Sequence, residues 1–237
     1  MKKNVRTKIT ILSILVILVF FPSCSAKINA QLVQNGSGSV QLQAGLEPNM
    51  IALIRSFSSL GGAQSGPVLD AAALNRSLQA AKGISSAALK NTGQERIEGT
   101  VGIGRISDLL NSGVNRFVQY EADSSAGRLA ILLNRSIAPQ ILMQIYPEAV
   151  DYLSALMAPA ATGEALSKSE YLLLVESVYG KQLAAEIAAS RVTAAITMPG
   201  AVKSVKGGTY SGREARFDIA LLDLLVLEQP LNYEITW

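Results

Sequence analysis

The apolar positions of this chain follow three patterns, and each predicts a different kind of element. From Ile9 to Phe21 the residues are apolar except for Thr10 and Ser13, behind a start that carries Lys2, Lys3, Arg6 and Lys8 and no acid. Such a run suits the roughly 7–15-residue core of an export signal and falls short of the ~20 residues that a lasting membrane helix needs. Strict alternation comes next. Residues 27–34 place Ile28, Ala30 and Leu32 on one side, and residues 40–46 do the same with Val40, Leu42, Ala44 and Leu46. Asn35-Gly36-Ser37-Gly38-Ser39 supplies turn residues between them, so the pair reads as a β-hairpin.

Helical spacing appears at Asn49–Leu60 behind Pro48, and again at Val68–Lys82, where Asp70 stands in the first turn and Gly83 follows the end. Residues 84–105 predict two strands about Asn91-Thr92-Gly93, followed by a short helix at Ile106–Asn111. Arg116–Ala122 and Arg128–Asn134 predict another hairpin. The stretch from 137 to 189 is helical and strongly apolar, divided by Pro139, Pro147 and Pro159. Its best helix is Ser169–Tyr179, with Leu172, Val175 and Tyr179 along one face and a continuation through Leu183 and Ile187. Strands return at Arg191–Met198, near Tyr210–Ala220 and at Leu231–Trp237. The pattern is α+β: a mainly antiparallel sheet built from both ends of the chain, packed against an inserted helical block at about 137–189. The expected division is a signal at residues 1–23 and one domain over 24–237.

The apolar run ends in Phe21-Pro22-Ser23-Cys24, which resembles the lipobox of bacterial lipoproteins. Ser23 is the small residue before the cysteine, while Phe21 and Pro22 stand where leucine and a small residue are usual, so the form is relaxed. The resemblance implies cleavage before Cys24, a diacylglycerol on its sulfur and an amide-linked chain such as palmitate. Ordinary secretory cleavage after Cys24-Ser25-Ala26 is the competing reading. Cys24 is the only cysteine among 237 residues, which removes intramolecular disulfides and cysteine metal sites from the domain. Several acyl chains, each buried methylene contributing ~0.8 kcal/mol, make a stable anchor where one chain is marginal. The hairpin begins directly after Cys24, so the domain is expected to sit close to the bilayer. Ser25, rather than an aspartate, favours the outer membrane over the inner.

Charge changes the picture once the signal is set aside. The formal net charge of +3 includes four signal cations; without them 17 Lys and Arg face 18 Asp and Glu, a net of −1. The basic balance is therefore no argument for nucleic acid, and no nucleic-acid partner is expected.

Histidine is absent, and with the single cysteine consumed the Ser-His-Asp and Cys-His pairings cannot be built. The mature part holds no Ser-x-x-Lys pattern. Glu148 with Asp151, and Asp218 with Asp223, read as solvated carboxylates or caps. Gly99-Thr100-Val101-Gly102-Ile103-Gly104 fits neither G-x-G-x-x-G nor the Walker spacing, and alternation makes it a glycine-containing strand. No enzyme, cofactor or metal is expected. The residues left with functional content lie in the apolar block, where Met143, Tyr146, Tyr152, Met157, Leu172, Val175 and Tyr179 suit a lipid-sized cavity or plain packing against the sheet.

The most distinctive stretch is Val192 to Trp237. It contains Met198-Pro199-Gly200 at a strand end, the Gly207-Gly208 turn, Ala215-Arg216-Phe217-Asp218-Ile219, the apolar Leu221–Leu227 and a last strand closing on Trp237. This succession resembles the end of the LppM-like bacterial lipoprotein domain. The resemblance implies an envelope lipoprotein of lipid-binding type that recognises a lipid or glycolipid without catalysis. Some members of that family continue into a carboxy-terminal membrane helix, whereas this sequence stops at Trp237, which leaves anchoring to Cys24. The alternative is a structural or assembly lipoprotein that docks another envelope protein.

Overall fold

Alternation behind Cys24 builds the middle of a sheet. In the computed structural model, which describes residues 24–60, 67–93, 95–110, 118–123, 126–140 and 153–237, β1 (Cys24–Leu32) pairs antiparallel with β2 (Gly38–Leu46). Asn35 closes the turn, its side-chain oxygen accepting from the Ser37 N–H at 3.0 Å and the Ser37 hydroxyl at 2.7 Å. Along the chain follow α1 (Pro48–Leu60), α2 (Ala71–Gln79), β3 (Ile84–Gly93), β4 (Arg96–Ile103), α3 (Ile106–Leu110), β5 (Val118–Ala122) and β6 (Gly127–Leu133). Then come α4 (Pro159–Thr162), α5 (Lys168–Tyr179), α6 (Lys181–Ala189), β7 (Arg191–Thr197), β8 (Ser204–Lys206), β9 (Thr209–Ser211), β10 (Glu214–Ala220), α7 (Leu221–Val226) and β11 (Leu231–Thr236).

The strands form an open seven-stranded sheet, β3-β4-β2-β1-β7-β10-β9, and a four-stranded sheet, β5-β6-β11-β8. β1 runs parallel to β7, and the other pairings are antiparallel. The expected α+β class and the meeting of early and late strands are both present. The last strand, however, joins the smaller sheet, a separation that periodicity does not carry. β8 and β9 pass the chain between sheets, being only three residues each and too short to show a period.

Two helix boundaries differ from expectation for local reasons. α2 starts at Ala71 because Asp70 caps it, its carboxylate accepting from the N–H groups of Ala72 at 2.8 Å and Ala73 at 3.1 Å. The helix expected at Ser169–Tyr179 ends at Tyr179, and its continuation through Leu183 and Ile187 is a separate helix, because the chain breaks at Gly180, where φ is 92°. Glycine takes that angle without a Cβ penalty. α5 opens on a capping box formed by Ser167 and Glu170.

One hydrophobic cluster joins the layers. Ile28, Leu42, Ile97 and Val192 from the large sheet share it with Tyr171, Val175, Ile187, Leu221 and Leu225 from the helices. Phe217 on β10 meets Tyr233 on β11 edge-on, with ring centroids 5.3 Å apart, and so bridges the two sheets. The outer edge of β3 is bonded by α2: the Asn75 side chain donates to the Leu89 carbonyl at 2.7 Å and accepts from its N–H at 2.8 Å. That satisfies main-chain groups an edge strand would otherwise offer to another chain. Glu95, only 1% exposed and at φ 56°, accepts from Arg55 at 2.8 Å and from the Leu69 N–H at 3.1 Å, fastening the segment between α1 and α2 to the β3–β4 turn.

Candidate functional site

Alternation that buries Ala26, Ile28 and Leu32 must turn Lys27, Asn29 and Gln31 to the opposite face. Register then assembles those outward positions into rows across the strands. One row runs Lys90, Glu98, Gln43, Lys27, Thr193, Asp218. Its neighbour runs Ala88, Thr100, Gln41, Asn29, Ala195, Arg216. A third is made of Ser86, Gly102, Ser39, Gln31, Thr197 and Glu214. These rows hold no aromatic residue and no aliphatic one larger than alanine.

Two clefts open on this face. The first, about 860 Å³, lies at the end of the sheet where β1 begins; it is lined by Ser25, Lys27, Gly45, Arg96 and Thr193 of the strands and by Ala185 and Ala189 of α6. The second, about 830 Å³, lies over β1, β7 and β10 and shares Lys27 and Thr193 with the first. Gly45 shapes the first cleft. A Cβ there would stand 3.1 Å from the Arg96 Cγ, so the missing side chain lets Arg96 lie across β2 in the row that also holds Ser25.

Charges around the clefts are largely matched. Lys90 pairs with Glu98 at 3.0 Å, and Arg191 with Asp218 at 2.7 Å. The Arg191 hydrogen bond holds the Asp218 carboxyl below its ordinary range and raises the guanidinium in turn. Glu186 of α6 accepts from the N–H groups of Asn49 at 3.1 Å and Met50 at 3.2 Å, and from the Asn49 amide at 2.7 Å, so its carboxylate caps α1. Among the described residues no three or more Asp, Glu, Cys or His side chains converge as metal ligands would.

The residues singled out from sequence fall in three places. Met143, Tyr146 and Tyr152 lie outside the described residues, as does the segment ending at Ser23. Val175 is fully buried in the core, and Leu172, Tyr179 and Met157 are half-buried. The Tyr179 hydroxyl donates to the Ala155 carbonyl at 2.5 Å and Tyr171 donates to the Leu156 carbonyl at 3.3 Å, so both phenols fasten residues 155–156 to α5. Burial raises both phenols above their usual range. These side chains line neither cleft described here. Cys24 begins β1 with its backbone opposite Leu46. The outward amides were not singled out, although their signal was present as the polar half of the alternation that revealed the hairpin.

No family model matches the chain, and no curated protein matches it. Among solved structures it is similar to the folded domain of the Mycobacterium tuberculosis LppM protein, determined by NMR. That likeness covers 91% of this chain and 89% of the other, with a TM-score of 0.40 and 10% sequence identity. At that score and identity it transfers no residue role and no ligand.

Proposed function

We propose that this chain is a non-enzymatic envelope lipoprotein, anchored through acylated Cys24, that binds a lipid or glycolipid. The observation that carries the reading is one of position. β1 starts at Cys24, and a cleft of about 860 Å³ opens at that same end of the sheet. With no linker between the acylated residue and the strand, the cleft is held at the bilayer surface. Its volume lies within the ~300–1,000 Å³ of small-ligand sites. Its lining joins Ala185 and Ala189 to the cations of Lys27 and Arg96, a mixture suited to the boundary between headgroup and chain.

No helix among the described residues is long and apolar enough to cross a membrane, which leaves Cys24 as the anchor of this reading. The absence of histidine and of a second cysteine supports binding over catalysis. Ser25 favours the outer membrane. Of the acyl contacts expected from sequence, Met157, Leu172, Val175 and Tyr179 do not line this cleft, and the apolar helix contacts of this reading are Ala185 and Ala189. Native mass spectrometry of protein taken from membranes tests the whole reading: acylated Cys24 and a co-purifying lipid are expected, and Cys24→Ala moves the protein to the soluble fraction. Protein that is unacylated and lipid-free would overturn it.

A second reading, docking of another envelope protein, is favoured by Leu173 and Val178 on α5, which are 66% and 54% exposed. Cross-linking in membranes to one dominant protein, lost on Leu173→Lys, would select it.

A further inference from the structure

The outer face of the large sheet differs from an ordinary solvated strand surface. Exposed strand positions free of other demands favour threonine, other β-branched residues, aromatics and long charged chains. Here adjacent central strands carry Asn29 and Gln31 on β1 and Gln41 and Gln43 on β2, while Ala88, Gly102 and Ala195 stand beyond them. Asn, Ala and Gly are poor strand formers, so this composition costs strand propensity. What it provides is relief: the second cleft opens beside Asn29 and Ala195, the first beside Gln43, and the two share Lys27 and Thr193.

The chemistry of the face narrows what fits it. An acyl chain meets no apolar side chain larger than alanine on these rows, although Ile28 and Phe217 also line the second cleft. An anionic polymer finds little net field: Lys27, Arg96 and Arg191 share the first cleft with Glu47, Glu98 and Glu186, and Lys90, Arg191 and Arg216 are paired with Glu98, Asp218 and Glu214. A protein partner anchored in the usual way would use Trp, Tyr or Arg in desolvated pockets, and the rows hold no aromatic. Each amide offers two donors and an acceptor, and hydroxyls offer both, so the face matches a ligand that is itself both donor and acceptor at every step.

We infer that the second cleft, a trough over β1, β7 and β10, binds a neutral polyhydroxylated chain, a glycan, with Asn29 in its lining and Gln41, directly opposite Asn29 on β2, at its edge. The inference deepens the glycolipid side of the proposed function and rests on that reading only in placing the domain at the envelope. It is tested with the mature chain purified in detergent, run on native gels cast with dextran, laminarin or galactomannan, and with acidic polygalacturonate as contrast. Retardation by at least one neutral polysaccharide and none by polygalacturonate is expected. The double substitution Asn29→Ala with Gln41→Ala weakens it about tenfold through lost hydrogen bonds. Ala195→Trp, which fills the trough, abolishes it. Circular dichroism and melting of both variants stay those of the parent. No retardation by any neutral polysaccharide, retardation by polygalacturonate alone, or retardation unchanged in both variants overturns the inference. Acylation and bound lipid, read by mass spectrometry on the same preparation, report separately on the proposed function: their loss with retardation intact sinks the lipoprotein reading alone.

Discussion

The two faces of the seven-stranded sheet are made by the same strands, residue by residue in turn, yet they answer to different physics. Ile28, Leu42, Ile97, Val192 and Phe217 point inward and are buried in a shared cluster, where each contributes by excluding water and by close packing. Lys27, Gln43, Thr193 and Asp218, their neighbours in sequence, point outward to solvent. Stability is therefore concentrated on one face, leaving the other free to carry recognition. The contrast between Phe217 and Asn29 makes the point: one bridges two sheets, the other touches little and costs little to change.

Substitutions can break or sharpen that comparison. The largest effect is expected from Phe217→Ala, which removes a buried ring and its contact with Tyr233; a loss of about 3–5 kcal/mol in urea denaturation is predicted. Asn29→Ala is expected to stay within about 0.5 kcal/mol of the parent. Similar losses in both would mean that the faces are not energetically distinct. Next comes Glu95→Gln, which weakens a buried acceptor of the Leu69 N–H and the Arg55 guanidinium and is expected to cost about 1–3 kcal/mol in the same assay.

On the outer face, a double-mutant cycle at Lys90 and Glu98 is expected to return a coupling below about 1 kcal/mol that shrinks further in salt. The smallest effect concerns acid. Asp218 and Glu234 have carboxyl groups held below their ordinary range by hydrogen bonds from Arg191 and Arg128. Carboxyls lowered on folding stabilise fully above their unfolded pKa, and that contribution disappears as pH falls through the lower folded value. A slight fall in melting temperature is expected as pH drops through the carboxylate range and below it, and Asp218→Asn with Glu234→Gln should flatten the dependence.

Much of the fold was legible because its signals are local. The β1–β2 hairpin follows from alternation about Asn35–Ser39, and the β3–β4 pair from alternation about Asn91–Gly93. The end of α5 at Tyr179 was legible, but α6 was not separable from it as a second helix, because the apolar spacing through Leu183 and Ile187 continues across Gly180. α2 was drawn too long at its start because Val68 and Leu69 keep the helical period while preceding the Asp70 cap. The outer rows were only half legible. Each polar position was visible along its strand, but nothing local placed Gln41 opposite Asn29, or Thr193 beside Lys27.

The sequence by itself determined which residues face inward on each strand, where most helices and strands lie, and that histidine and cysteine chemistry has almost no place here. Those properties depend on residue type and on periods of two and 3.6 residues, which any short window contains. Only the tertiary structure decided that β1 lies beside β7, that β11 leaves the large sheet for the small one, and that the scattered amides of β1 and β2 stand side by side on one face of the sheet. Such neighbours come from segments far apart in the chain, and their register is set by packing the common core.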